Sequence, residues 1–429
     1  MGLIGHFSKP IAEDALILER GEGPYVFDTH GRRYIDSLSS LFCAQIGYSY
    51  GEEMAAASSR QLTTLAFNTN WNTAHPPALE LAERLTERAP NGLDHAFFTN
   101  GGSESVEAAW KLAREYFLAI GQPQRTKAIA RDVAYHGVTL GALSFTGVDR
   151  FKEPFGTPAI DVTHVSNTNP FRHPGVDYLA ELEAAIQAAG PDDVALIIAE
   201  PVQNAGGCLT PPAGYWQGLR EIADRHGILL MADEVITGFG RLGEWFGVAR
   251  EGVSPDLISL AKGLTSAYAP MGAVVAHDRV MEALADRPFR HGITFGGHPV
   301  SAAIALKNIE IFERDGVNEN VRKLTPHLEG RMRELLDLPV VGDVRGAGFF
   351  WAVELVGEDN RRLDQTERDT LLRGYLPRAL LEAGLIARAD DRGDSVLQIA
   401  PPLISDADLL DEIVDRLGEV LSTAVAWAA

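Results

Sequence analysis

Two short apolar runs bracket the stretch that most constrains this chain. The first, Ile228 to Ala232, ends in Asp233-Glu234-Val235-Ile236-Thr237-Gly238-Phe239-Gly240-Arg241; the second, Asp256 to Ala261, delivers Lys262-Gly263-Leu264-Thr265-Ser266. Runs of this kind, closed by glycine and charge, read as strands buried on both faces of a parallel sheet. Ligands of open α/β sheets sit beyond the carboxyl ends of such strands, so Asp233 and Lys262 are expected to face one crevice.

The same punctuation recurs along the chain. Further strands are predicted at His95–Thr99, Lys127–Ala130, Val194–Ala199 and Gly272–Ala276, with helices at Glu52–Leu65, Ala78–Glu87, Tyr178–Ala189, Trp216–Arg225 and Val300–Asp315. Alternation of this type predicts an α/β fold, a mostly parallel sheet with helices on both faces. The Pro/Asn-rich stretch from Thr157 to Pro174 reads as one long loop. From Asn318 onward long helices alternate with the β-prone runs Val340–Arg345, Phe349–Leu355 and Ser395–Ile399, which predicts a smaller α+β domain. A hairpin signal around His30-Gly31 places the N-terminal piece on that domain. The expected division is residues 1–50 joining the small domain, 51–315 as the large domain and 316–429 as the small one.

Charge narrows the partners. The net charge of −21 argues against nucleic acid and against an anionic membrane surface. Neither of the two cysteines, Cys43 and Cys208, has a metal-like or redox-like neighbour, so reduced thiols, no metal and a cytoplasmic setting are expected. The first ten residues lack the pattern of a signal peptide, and no apolar run reaches spanning length.

Taken alone, each candidate site residue has an ordinary and a chemical reading. Asp233 and Lys262 form either a buried ion pair or the two grips of a pyridoxal phosphate ring, the lysine on the aldehyde and the carboxylate on the pyridine nitrogen. Gly101-Gly102-Ser103, between a strand and a helix, suits a phosphate and equally suits any tight turn; Ser103 is an N-cap or a phosphate ligand. Tyr135, in Ala134-Tyr135-His136-Gly137, is a surface or packing aromatic, or the flat face a pyridine ring stacks on. Glu200 stands at the end of another strand, and Thr294 lies in a small-residue loop where a hydroxyl caps a turn or meets a phosphate. Arg388 after Leu385-Ile386-Ala387 is a surface charge unless a carboxylate must be bound.

Asp233 through Arg241 together with Lys262 through Ser266 resemble the class III aminotransferases of the fold type I pyridoxal-phosphate group, and the resemblance runs along nearly the whole chain. It implies that Lys262 carries the cofactor and Asp233 and Glu200 serve its ring. Tyr135 and Val235 would cover its two faces, and Gly102 and Ser103 its phosphate. Thr294 would reach the phosphate of a partner subunit, in a homodimer. The family commonly shows Ser-Gly-Ser in the phosphate turn; here Gly101 replaces the first serine. Ile236, where ornithine and 4-aminobutyrate enzymes often carry Gln, resembles the ω-transaminases, with Arg388 as carboxylate grip and Phe42, Trp71 and Ala205 as pocket lining. An amine or ω-amino acid donor and pyruvate are the implied substrates. The alternatives are a 2-oxoglutarate-using 4-aminobutyrate, ornithine or diamine transaminase, an aminomutase, a decarboxylating transaminase, or a non-catalytic regulator that binds the same cofactor.

Overall fold

The computed structural model describes residues 3–7, 15–156 and 158–428. Three strands open the chain, β1 (Leu18–Glu22), β2 (Tyr25–Asp28) and β3 (Arg33–Asp36). Seven follow: β4 (His95–Thr99), β5 (Lys127–Arg131), β6 (Asp161–Val165), β7 (Val194–Ala199), β8 (Leu229–Asp233), β9 (Leu257–Leu260) and β10 (Gly272–Ala276). They form one sheet in the order β4-β10-β9-β8-β7-β5-β6. Strands β5 to β9 run parallel within it, and β10 is antiparallel to both of its neighbours, β4 and β9.

Side chains alternate across the strands, so each of these runs feeds two apolar layers. Ile129, Ile197, Leu230, Ala232 and Ile258 join one core, which the helices Tyr178–Ala189 and Tyr215–His226 cover. Ala128, Leu196, Ile198, Met231 and Leu257 join the other, covered by the helix Gly102–Ala119. A sheet clothed on both faces leaves only its strand ends for chemistry.

The remaining strands are β11 (Val341–Ala347), β12 (Phe350–Leu355), β13 (Leu385–Ile386), β14 (Arg388–Asp390) and β15 (Val396–Ile399). Four of them make a sheet in the order β11-β12-β15-β14, while β13 pairs in parallel with β3 and so joins the N-terminal strands to the C-terminal region. Buried Arg241 fastens these parts together. Its Nη1 donates to the carbonyls of Phe349 at 3.0 Å and Pro401 at 2.6 Å, and its Nη2 to Ser39 Oγ at 3.1 Å and to Gln45 Oε1. Among the described residues no helix is long and apolar enough to cross a membrane.

The stretch expected as one loop departs from that reading, because Asp161–Val165 inside it is β6. As the sheet's edge it has a single neighbour, β5, and only Val165 of its five residues is buried, so it lacks the continuous apolar run that marks the inner strands. Thr157, the start of that stretch, lies outside the described residues.

The close packing of β10 under the turn after β4 is a test of how the fold shapes that turn. A Cβ on Gly272 would stand 2.4 Å from Thr99 Oγ1, 2.6 Å from Ser105 Oγ and 2.8 Å from the Gly101 carbonyl. Gly272→Ala is expected to destabilise the protein by about 1–3 kcal/mol, as overpacking does, measured by urea unfolding. An unchanged midpoint would show that the turn yields freely.

Candidate active site

The segments that leave β4, β5, β7, β8 and β9 contribute to a cavity of about 200 Å³, lined among others by Gly102, Ser103, Tyr135, Asp233, Val235 and Lys262. Register explains the meeting of two of its walls: β8 and β9 run parallel with Asp233 opposite Ser259, and the chain goes on past β9 through Ala261 to Lys262. Lys262 adopts φ +43°, a left-handed conformation rare for a residue with a Cβ, and begins a 3-10 turn.

The carboxylate of Asp233 is buried and held on both oxygens. Oδ2 lies 2.7 Å from His136 Nδ1, and Oδ1 accepts from Ser259 Oγ at 2.9 Å and from the Val235 N–H at 3.1 Å. Lys262 forms no ion pair with it; its Nζ stands over the Phe42 ring, 5.9 Å from the centroid. Burial lowers the pKa of that amine below the ordinary lysine value. An ion pair joining the two strand tips is therefore not what this site contains.

The helix Gly102–Ala119 starts with an extended Gly101 and no side-chain cap. Among the described residues the N–H groups of Gly102, Ser103 and Glu104 have no partner, since the first bond of this helix runs from Ser105 N–H to the Gly101 carbonyl. Three open donors at the positive end of a helix make an anion cradle. Val235 presses against it, its two methyl groups 3.1 Å from where a Cβ on Gly102 would stand, so a side chain there would push on Val235. Ser103 Oγ accepts from the Val138 N–H at 3.2 Å.

Glu200, buried at the end of β7, accepts from the Asn204 N–H at 2.9 Å and the Tyr135 N–H at 3.4 Å; burial raises its pKa. Tyr135 and Lys262 also line a second, outer cavity of about 490 Å³, together with Phe42 and Arg388. Ala205 is wholly buried behind that wall, and Asn204 lines it instead. Trp71, 64 % exposed, and Thr294, also exposed, lie elsewhere on this chain, where Trp71 and the neighbours of Thr294 border a separate groove of about 740 Å³.

Sequence reasoning passed over three side chains. His136 is buried rather than exposed beside Tyr135; a histidine directly after a strand-end aromatic was the only available signal. Asp390, the last residue of β14, and Arg392, in the turn after it, line the outer cavity, although Asp-Asp-Arg-Gly-Asp reads as a solvated turn.

The class III aminotransferase profile ("Aminotransferase class-III") matches residues 8–421. The chain belongs to the class III aminotransferases. This aminotransferase is 48 % identical over 421 residues to a probable aminotransferase of Mycobacterium tuberculosis, covering 95 % of this chain and 89 % of that one. It is 40 % identical to the putrescine–pyruvate aminotransferase of Pseudomonas aeruginosa, over 96 % and 91 % of the two chains. Among solved structures, an (S)-enantioselective ω-transaminase from Thermomicrobium roseum superposes with a TM-score of 0.92 at 38 % identity, covering 98 % of this chain and 97 % of that one. The aminotransferase is thus a fold type I, pyridoxal-phosphate-dependent enzyme. The cavity suits that cofactor: it offers open donors for a phosphate, a fixed carboxylate for a ring nitrogen and an unpaired amine for an aldehyde.

Glu234, next to Asp233, points away from the cavity and ties the following loop. Its carboxylate accepts from the N–H groups of Gly247 at 2.8 Å and Val248 at 2.7 Å and from the Thr237 hydroxyl. Burial nevertheless pushes its pKa up to about 7. A raised carboxyl pKa gives stability that is complete below the unfolded value, near 4.5, and is lost as pH rises through about 7. Relative to Glu234→Gln, the wild type is expected to lose about 3 kcal/mol of unfolding free energy across that window. Parallel pH profiles of denaturation for the two proteins would contradict this.

Proposed function

We propose that this aminotransferase moves an amino group from an amine or ω-amino acid to an α-keto acid, pyruvate foremost, in a two-stage exchange. The observation that carries the reading is an unpaired amine and a doubly anchored carboxylate at the tips of adjoining strands. In this assignment Lys262 holds the cofactor covalently, and the start of the Gly102 helix with Ser103 holds its phosphate. Asp233 meets its ring nitrogen, Tyr135 and Val235 cover its faces, and Glu200 keeps Tyr135 in place. When bound, pyridoxal phosphate supplies an electron sink that lets a C–H bond next to the donor nitrogen break.

The rest of the work falls to the chain itself. Burial keeps a larger share of Lys262 neutral than in water, so its Nζ can take the proton from the donor carbon and later return it. Asp233, fixed by His136 and Ser259, needs no rearrangement to balance positive charge at the ring nitrogen. Phe42 gives the outer chamber an apolar wall, and Arg388 grips a substrate carboxylate. Pyruvate as acceptor is supported by similarity to the putrescine–pyruvate aminotransferase. The alternative, acceptance of 2-oxoglutarate, differs in carrying a second carboxylate.

The functional unit is proposed to be a cytoplasmic homodimer. Exposed Phe67, Trp71 and Phe295 form an apolar surface, with Phe67 and Phe295 in edge contact at 5.6 Å. Placed against a second copy, Thr294 and Trp71 would complete the neighbour's site.

Two outcomes test the proposal. Lys262→Ala is expected to lower turnover at least about 10⁴-fold, since it removes both the attachment point and the base; wild-type rates in that variant would end the assignment. In single half-reactions followed by absorbance, β-alanine, 4-aminobutyrate and 1-phenylethylamine are expected to convert the cofactor, and pyruvate to restore it faster than 2-oxoglutarate. Restoration by 2-oxoglutarate alone would favour the alternative.

A further inference from the structure

The outer chamber carries more positive charge than its own carboxylates balance. Arg150, Arg373, Arg388 and Arg392 face Asp390 and Asp391 across about 490 Å³. Asp391 is already engaged, by Arg150 at 2.7 Å and by Arg373. Asp390 is engaged as well: Arg392 Nε donates to its two oxygens at 2.9 and 2.8 Å, and Arg392 Nη2 donates to Oδ2.

The two inner guanidinia differ in how they are held. Arg388 Nε stands 3.7 Å from Asp390 Oδ2, too far for a hydrogen bond, and among the described residues Arg388 has no hydrogen bond from its side chain. Arg392 is fixed by Asp390 on one edge and by the Tyr135 ring, 5.6 Å from its Cζ, on its face. Its Nη1 has no partner among the described residues, which leaves donors of a rigid guanidinium open toward the chamber. A substrate ammonium entering here would find both carboxylates occupied. A substrate carboxylate would find two arginines with unused donors.

Resting on the amino-transfer reading above, we infer that Arg392 is a specificity-determining residue that recognises the carboxylate at the far end of an ω-amino acid donor, alongside Arg388. The chamber thereby prefers donors with an anionic second end and disfavours diamines, whose second end is cationic. Asp390 and Tyr135 act as positioning residues that hold the Arg392 plane ready, so the ordering of one long side chain is not a cost of binding.

The experiment uses the holoenzyme, Arg392→Gln and the charge-balanced Asp390→Asn/Arg392→Gln. Donor kinetics are measured with β-alanine, 4-aminobutyrate, putrescine and 1-phenylethylamine, and the unreactive dianion glutarate is titrated by calorimetry. In both variants the kcat/KM ratio of 4-aminobutyrate to 1-phenylethylamine is expected to fall about tenfold, mostly through KM, the loss of one charge-assisted contact. Glutarate affinity should fall by a similar factor, and putrescine should gain relative to 4-aminobutyrate. Unchanged donor ratios together with unchanged glutarate affinity would overturn the role of Arg392. A wild type that turns over none of the donors would overturn the amino-transfer reading instead, and the glutarate titration would still decide for or against Arg392.

Discussion

The buried carboxylate of Asp233 is the constraint on which the rest of the site depends. A lone anion at that depth would be costly, and the protein meets the cost with His136 on one oxygen and Ser259 on the other. Ser259 can serve because β8 and β9 are parallel and in register at that level. The same register carries the chain past β9 to Lys262. Pairing of two strands therefore fixes where the carboxylate and the amine of the site stand, and the helices on both faces hold that pairing rigid.

Charge is distributed in layers outward from this point. The inner cavity has an anchored anion, an amine that burial discourages from protonation and open backbone donors at a helix start. The outer chamber is lined by arginines whose carboxylate partners are nearly used up. Arg241 connects the layers mechanically, since it binds the loop after β8, the segment that presents Phe42 and the strands that present Arg388 into one block.

Much of this was legible in the chain before any coordinates. Val194–Ala199 and Gly272–Ala276 match their strands to the residue, because strands buried on both faces must be apolar without interruption. Asp233 and Lys262 stood out because charge directly after such runs has few ordinary explanations. The edge strand Asp161–Val165 was hidden among prolines and asparagines because one neighbour and one buried residue leave little pattern. His136 and Arg392 were hidden for a different reason. A single polar residue gains its role from partners distant in sequence: Asp233 lies 97 positions from His136, and the Tyr135 ring stands over Arg392 from another part of the fold. Trp71 and Thr294 lie exposed on the surface of this chain, apart from both cavities.

The central claim is that Lys262, and no other lysine, is the amine that carries the cofactor opposite Asp233. Borohydride reduction of the holoenzyme fixes the cofactor to whichever lysine bears it, and peptide mass mapping then reads the position. The account predicts the pyridoxyl mass on the peptide containing Lys262 alone; finding it on any other lysine would contradict it.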